Sequence, residues 1–120
     1  METEIAGKMG NYNSVTKTSN YTAQPYDLVL CDVSAGSFTV TLPSAPANGT
    51  LISVKLQGIG TNKYLTLATS GTDKFNTSTG NTQIYMYLFG EFAQMQYDSS
   101  TGLWCTFISA GTYNFATNFP

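Results

Sequence analysis

The 120-residue chain contains no histidine and no arginine, and these two absences exclude more function classes than any motif selects. Without imidazole there is no Ser-His-Asp or Cys-His arrangement and no imidazole base. Five lysines stand against seven acids, for a net charge of −2, so the clustered cations that displace phosphate counterions are missing. No nucleic-acid partner is expected. No apolar run approaches the ~20 residues of a membrane span, so no membrane partner is expected either. Met1–Gly10 (METEIAGKMG) opens with acids and has no apolar h-region. The reading is a soluble chain without a secretory leader, made in a cytoplasm.

Cysteine is also scarce. Cys31 and Cys105 are the only thiols, and without a secretory route they read as free and buried rather than as a disulfide. Neither has a flanking cation that would lower its pKa, and two cysteines without histidine cannot complete a zinc site. No cofactor is implied. The sequons at Asn20, Asn48 and Asn76 carry no weight in a chain so rich in Asn and Thr.

What is present is short alternating apolar segments separated by turn residues. Tyr26–Asp32 (YDLVLCD) is apolar on both sides at its centre, as in a strand buried on two faces. Ser37–Leu42 has strict period two, with Phe38, Val40 and Leu42 on one side and Thr39 and Thr41 on the other. After the Pro43 to Asn48-Gly49 turn, Thr50–Gln57 directs Ile52, Val54 and Leu56 inward and Ser53 and Lys55 outward. Lys63–Ala68 follows, with Leu65 and Leu67 inward. Ser70–Asn81 is a polar loop anchored by Phe75.

Thr82–Phe89 alternates Ile84, Met86 and Leu88 against Tyr85, Tyr87 and Phe89, and Glu91–Tyr97 is the expected hairpin partner across Gly90. Asp98–Gly102 is a tight turn into Leu103–Ile108, where Trp104 is a core anchor. This pattern predicts an all-β chain with a single β-sandwich or jelly-roll-like domain of about seven to eight short antiparallel strands. An N-terminal arm over 1–22, with a short strand near Ser14–Thr18, precedes the sandwich at 23–109. An aromatic tail at 110–120 follows. No internal repeat argues for a solenoid.

The chemistry-bearing residues are sparse. Asp27, Asp32, Asp73, Glu91 and Asp98 could in principle supply a carboxylate pair for glycoside hydrolysis, but each lies at a turn or strand end, where local backbone bonding accounts for it. No D-x-D-x-D run supports a calcium site. Gly58-Ile59-Gly60 is not followed by a helix that would present amides to a phosphate. No catalytic residue and no metal ligand is therefore assigned. The candidate functional residues are aromatic: the row Tyr85, Tyr87 and Phe89, extended by Tyr97, and the tail residues Tyr113, Phe115 and Phe119. Such rows form core, fill subunit interfaces or stack against sugars. The tail is expected to fold back or to add to a neighbour's sheet edge.

Tyr26 to Asp32, the Ser34-Ala35-Gly36 turn, Phe38-Thr39-Val40-Thr41-Leu42-Pro43, Asn48-Gly49 and Leu51 to Lys55 follow one another in a characteristic rhythm. Leu65 to Leu67, Gly71-Thr72-Asp73 and Tyr97 through Gly102 to Trp104 continue it. Over about Tyr26–Ile108 the chain resembles the small β-sandwich modules of tailed bacteriophages, found in tail fibres, tailspikes and head-decorating or cement proteins. The resemblance implies a non-enzymatic virion protein, often a homotrimer. It carries no catalytic motif. With no repetitive shaft attached, a decoration protein on the major capsid protein is the leading expectation. A tail-fibre or tailspike domain that binds a receptor or host glycan, with other virion proteins as neighbours, is the alternative.

Overall fold

A computed structural model describes residues 13–109, and these fold entirely as β-structure, with no helix among them. Ten strands occur in chain order: β1 (Asn13–Lys17), β2 (Tyr21–Thr22), β3 (Asp27–Asp32), β4 (Phe38–Thr41), β5 (Leu51–Gly58), β6 (Leu65–Ala68), β7 (Lys74–Phe75), β8 (Gln83–Met86), β9 (Phe92–Asp98) and β10 (Leu103–Ser109). They form a six-stranded sheet in the order β1-β3-β5-β9-β10-β7 and a four-stranded sheet in the order β2-β4-β6-β8.

The chain changes sheet at nearly every connection, which corrects the antiparallel expectation. Strands β1, β3 and β5 pair in parallel in the larger sheet, as do β2, β4 and β6 in the smaller one, and β7 runs parallel to β10. Parallel neighbours need a crossover, and here a strand of the opposite sheet supplies it. Only β5–β9, β9–β10 and β6–β8 are antiparallel among the described residues. The winding leaves no sequence repeat because its turns are unequal: Asn13 lies beside Asp27, yet Leu28 lies beside Ser53.

The period-two segments behave as alternation requires. Val29 and Cys31 from β3, Ile52, Val54 and Leu56 from β5, and Ala93 and Met95 from β9 join Val40, Leu65, Leu67 and Met86 of the other sheet in one buried cluster. Trp104 and Phe75 belong to the same cluster, so the two anchors expected from sequence are in place. Burying each large side chain stabilises the fold by about 1.5–3 kcal/mol before its ordering cost. Strand β3 departs from the expectation of burial on two faces. Its residues alternate between buried and half-buried, because only one face of this sheet meets the core.

Two further expectations are corrected. Glu91–Tyr97 is not the hairpin partner of the preceding strand, since β8 and β9 lie in different sheets. The Glu91 carboxylate accepts from the backbone N–H of Tyr87 (3.0 Å) and of Leu88 (3.2 Å), and Gly90 N–H donates to Leu56 O (2.8 Å). These bonds hold a crossing between sheets where a hairpin was expected. That crossing ends β8 at Met86, and Leu88 is exposed instead of buried.

The Asp98–Gly102 turn does form a hairpin, with Asp98 opposite Leu103. Asp98 accepts from the backbone and hydroxyl of Ser100, and Gly102 takes φ +70°, where a side chain would be strained. Within the expected arm, β1 and β2 are paired strands, with Val15 and Tyr21 packed against the core.

Candidate functional site

The outer faces of the two sheets differ in chemistry, and the pairing register shows why. In the larger sheet, alternation places Leu28, Ser53, Gln94 and Phe107 in one outward row and Leu30, Lys55 and Phe92 in the next. Leu28, Leu30 and Phe92 are half-buried, and Phe107 is 72% exposed. This face mixes apolar side chains with Ser53, Gln94 and the exposed Lys55. In the smaller sheet the outward positions are Thr39 and Thr41 on β4, Thr66 on β6 and Gln83 and Tyr85 on β8, with Tyr64 just before β6. That face combines threonine, amide and phenol groups.

The aromatic row singled out from sequence is at the surface: Tyr85 is 54%, Tyr87 60% and Phe89 51% exposed. Tyr97 does not extend it. It lies in the larger sheet, its ring 5.1 Å from that of Trp104, and its hydroxyl donates to Asp73 Oδ1 at 3.0 Å. That bond to a carboxylate raises the Tyr97 pKa above its ordinary value. Tyr64, which the sequence reading left unassigned, takes the place expected for Tyr97. The Tyr64 and Tyr85 rings meet edge to face with centroids 5.4 Å apart. Tyr113, Phe115 and Phe119 lie outside the described residues.

Tyr64, Tyr85 and Tyr87 line an open groove of about 560 Å³ together with Gly60, Asn62 and Lys63. Its floor is set by the β6–β8 register, which puts Thr66 opposite Tyr85. One wall is the turn before β6, closed by Lys63 N–H donating to Gly60 O at 3.1 Å. Asn62 takes the left-handed conformation there, φ 59°, which Asn tolerates better than most residues. The Tyr85 hydroxyl donates to Gln83 Oε1 at 3.0 Å, so this ring is held at both its edge and its tip.

A second feature lies at the rim of the larger sheet. β10 pairs with β9 along its whole length, but β7 covers only Leu103 and Trp104 on the other side. No strand among the described residues pairs with Cys105–Ser109 on that side. Phe107 and Ile108 are exposed on this stretch. The partial pairing of β10 among the described strands was not legible, since Leu103–Ile108 reads as an ordinary strand.

The five carboxylates considered for catalysis are separately engaged. Asp27 accepts from the Tyr21 hydroxyl (2.6 Å) and from Gln24 N–H (2.8 Å). The bond to Asp27, with lesser contributions from burial and the carboxylate charge, pushes Tyr21 up to about 12. Asp32 accepts from Ser34 N–H (2.9 Å) and Asp98 from Ser100, and these bonds hold both carboxyls below their ordinary pKa. Asp73 and Glu91 take the bonds described above. Among the described residues, no three Cys, Asp or Glu side chains cluster to hold a metal ion. Both cysteines are free thiols, and burial pushes Cys31 up to about 12.

Comparison of the chain with protein-family models and with curated proteins returned no match.

Proposed function

We propose that the chain is a non-enzymatic structural protein of a tailed-phage virion. In this reading it is a two-sheet β-sandwich, jelly-roll-like in its layering, that decorates and cements the head. It works as a homotrimer seated on the major capsid protein, in the assembled particle. The observation that carries the reading is the incompletely covered β10 edge. Cys105–Ser109 has a free hydrogen-bonding side among the described strands and displays Phe107 and Ile108.

An exposed strand edge with apolar side chains is a template for pairing with another chain, and proteins that are meant to stay apart blunt such edges with charge or proline. Here neither is present between Leu103 and Ser109. Leu28, Leu30 and Phe92 are half-buried on the same sheet, with exposed Lys55 between Leu30 and Phe92. Burial of such a face against a partner is the means by which a protein of so little charge would bind a shell. The phage-module rhythm over Tyr26–Ile108 supports the assignment to a virion.

The test is to add purified protein to empty heads and measure both co-sedimentation and the melting temperature of the shell. Binding with a raised melting temperature is expected. A receptor-binding tail-fibre or tailspike domain is the second reading, and the tyrosine-lined groove on the opposite sheet favours it.

A further inference from the structure

The groove has features of a ligand site that a protein–protein contact does not require. It is concave, and its volume of about 560 Å³ falls in the ordinary range for small-molecule sites. Its walls are phenol rings, an amide and one ammonium group. The rings are set before any ligand arrives: Tyr85 stands edge-on to Tyr64, and its hydroxyl is tied to Gln83. Preorganised aromatic faces of this kind lose little freedom on binding.

The charge in the groove has one sign. Lys63 is its only ionic lining residue, and its ammonium group forms no ion pair among the described residues. Glu91, four residues after Tyr87, is almost fully buried and occupied by the N–H groups of Tyr87 and Leu88. Asp32, whose partner Ser34 lies against Gly60, accepts from Ser34 N–H. Thus the tyrosines offer stacking faces for the C–H surface of a sugar ring, while Lys63 offers an unneutralised cation for an acidic group. Asn62 can donate to and accept from hydroxyls.

From this placement we infer that the groove binds a carboxylate-bearing saccharide, of the uronic-acid class. One pyranose ring stacks on the face of Tyr85, with Tyr64 standing perpendicular beside it, and the sugar carboxylate pairs with Lys63. Nothing is bonded or cleaved; the site recognises. The inference stands on the groove alone and holds for a head or a tail position of the chain.

The experiment uses the full chain, with short oligomers of glucuronic acid as the probe and glucose oligomers of equal length as the neutral control. Amide and ring resonances are followed by NMR during titration. Shifts are expected at residues 60–64 and 85–87 with the acidic oligomers, and affinity should fall as salt is raised. Lys63→Gln should weaken binding about fivefold and remove the preference over the neutral control. Tyr85→Ala should weaken both about tenfold. Both side chains are at the surface, and an otherwise unchanged spectrum confirms that each variant is folded.

Absence of shifts up to millimolar sugar overturns the inference. So does equal affinity for the acidic and neutral oligomers, or binding indifferent to both substitutions. Concentration-dependent shifts of the same residues without sugar would assign the groove to a second copy of the chain instead. Because Tyr85 is on β8 of the smaller sheet and Lys63 precedes β6 of that sheet, whereas β10 belongs to the larger one, none of these results decides whether the protein binds a shell.

Discussion

At the scale of single residues, two buried polar atoms have no partner among the described residues, Trp104 Nε1 and the hydroxyl of Ser53 on the outward side of β5. Ser53 is 1% exposed, and its hydroxyl has no hydrogen-bond partner among the described residues. An unsatisfied buried hydroxyl costs about 1–3 kcal/mol. Ser53→Ala is therefore expected to be neutral or to stabilise by up to about 1 kcal/mol, read from the midpoint of urea unfolding. Leu67→Ala, which hollows the fully buried cluster, should cost about 2–5 kcal/mol in the same assay. The outward direction of Ser53 was legible from alternation, but its burial was not. Its cover comes from strands β3 and β9, which place Leu28 and Gln94 beside it.

Cys31 gives a prediction in pH. Burial lifts its thiol from 9.0 to about 12, so the folded state holds this proton more tightly than the unfolded chain. The stabilisation is fully present below about pH 9 and is lost as pH rises toward 12. Tyr21, held up by Asp27, acts in the same direction between 10.0 and about 12. Asp32 and Asp98 act oppositely: their lowered pKa favours the fold above the ordinary carboxylate range, and that support is lost as pH falls. Thermal melts should be flat between these limits and fall on the alkaline side, and Cys31→Ala should make the alkaline fall shallower. In native protein, half-buried Cys105 should react with iodoacetamide well before Cys31.

At the scale of elements, the strands were legible where burial alternates strictly, as at Phe38–Thr41, because period two is a local property. Pairing direction was not legible, because it depends on which sheet the chain enters after each turn. The Glu91 bonds to Tyr87 and Leu88 decide this at one crossing, and no local pattern announces them. The groove was half legible. Tyr85 and Tyr87 stood out as a row, whereas Tyr64 joins them only through the β6–β8 register. An outward position for Tyr64 did follow from Leu65 and Leu67 pointing inward.

Strand β1 supplies an element-scale test. It covers the free side of β3 in parallel, and Val15 packs against the core. Removing residues 1–17 should lower the melting temperature and expose the β3 edge, detected as faster amide exchange at Leu28 and Leu30. Removing residues 1–12 leaves β1 in place and should leave exchange in β3 unchanged. Equal protection of β3 in both truncations would mean that β1 contributes no cover.

At the scale of the whole molecule, the two sheets present outer faces of unlike composition. The smaller sheet carries threonines and a tyrosine groove, and the larger sheet carries leucine and phenylalanine beside Lys55 and Gln94, with no described strand paired to β10 beyond Trp104 on one side. The low net charge reads as permissive of assembly, since a surface with few charges desolvates at low cost. The most direct test of the assembly proposal compares wild type with Phe107→Asp on empty heads. Phe107 is a surface residue, so the variant should fold, and its unchanged melting temperature would confirm that. The account predicts that wild type co-sediments with the shell and raises its melting temperature, and that Phe107→Asp does neither. Failure of wild type to bind, or equal binding by both proteins, would contradict it.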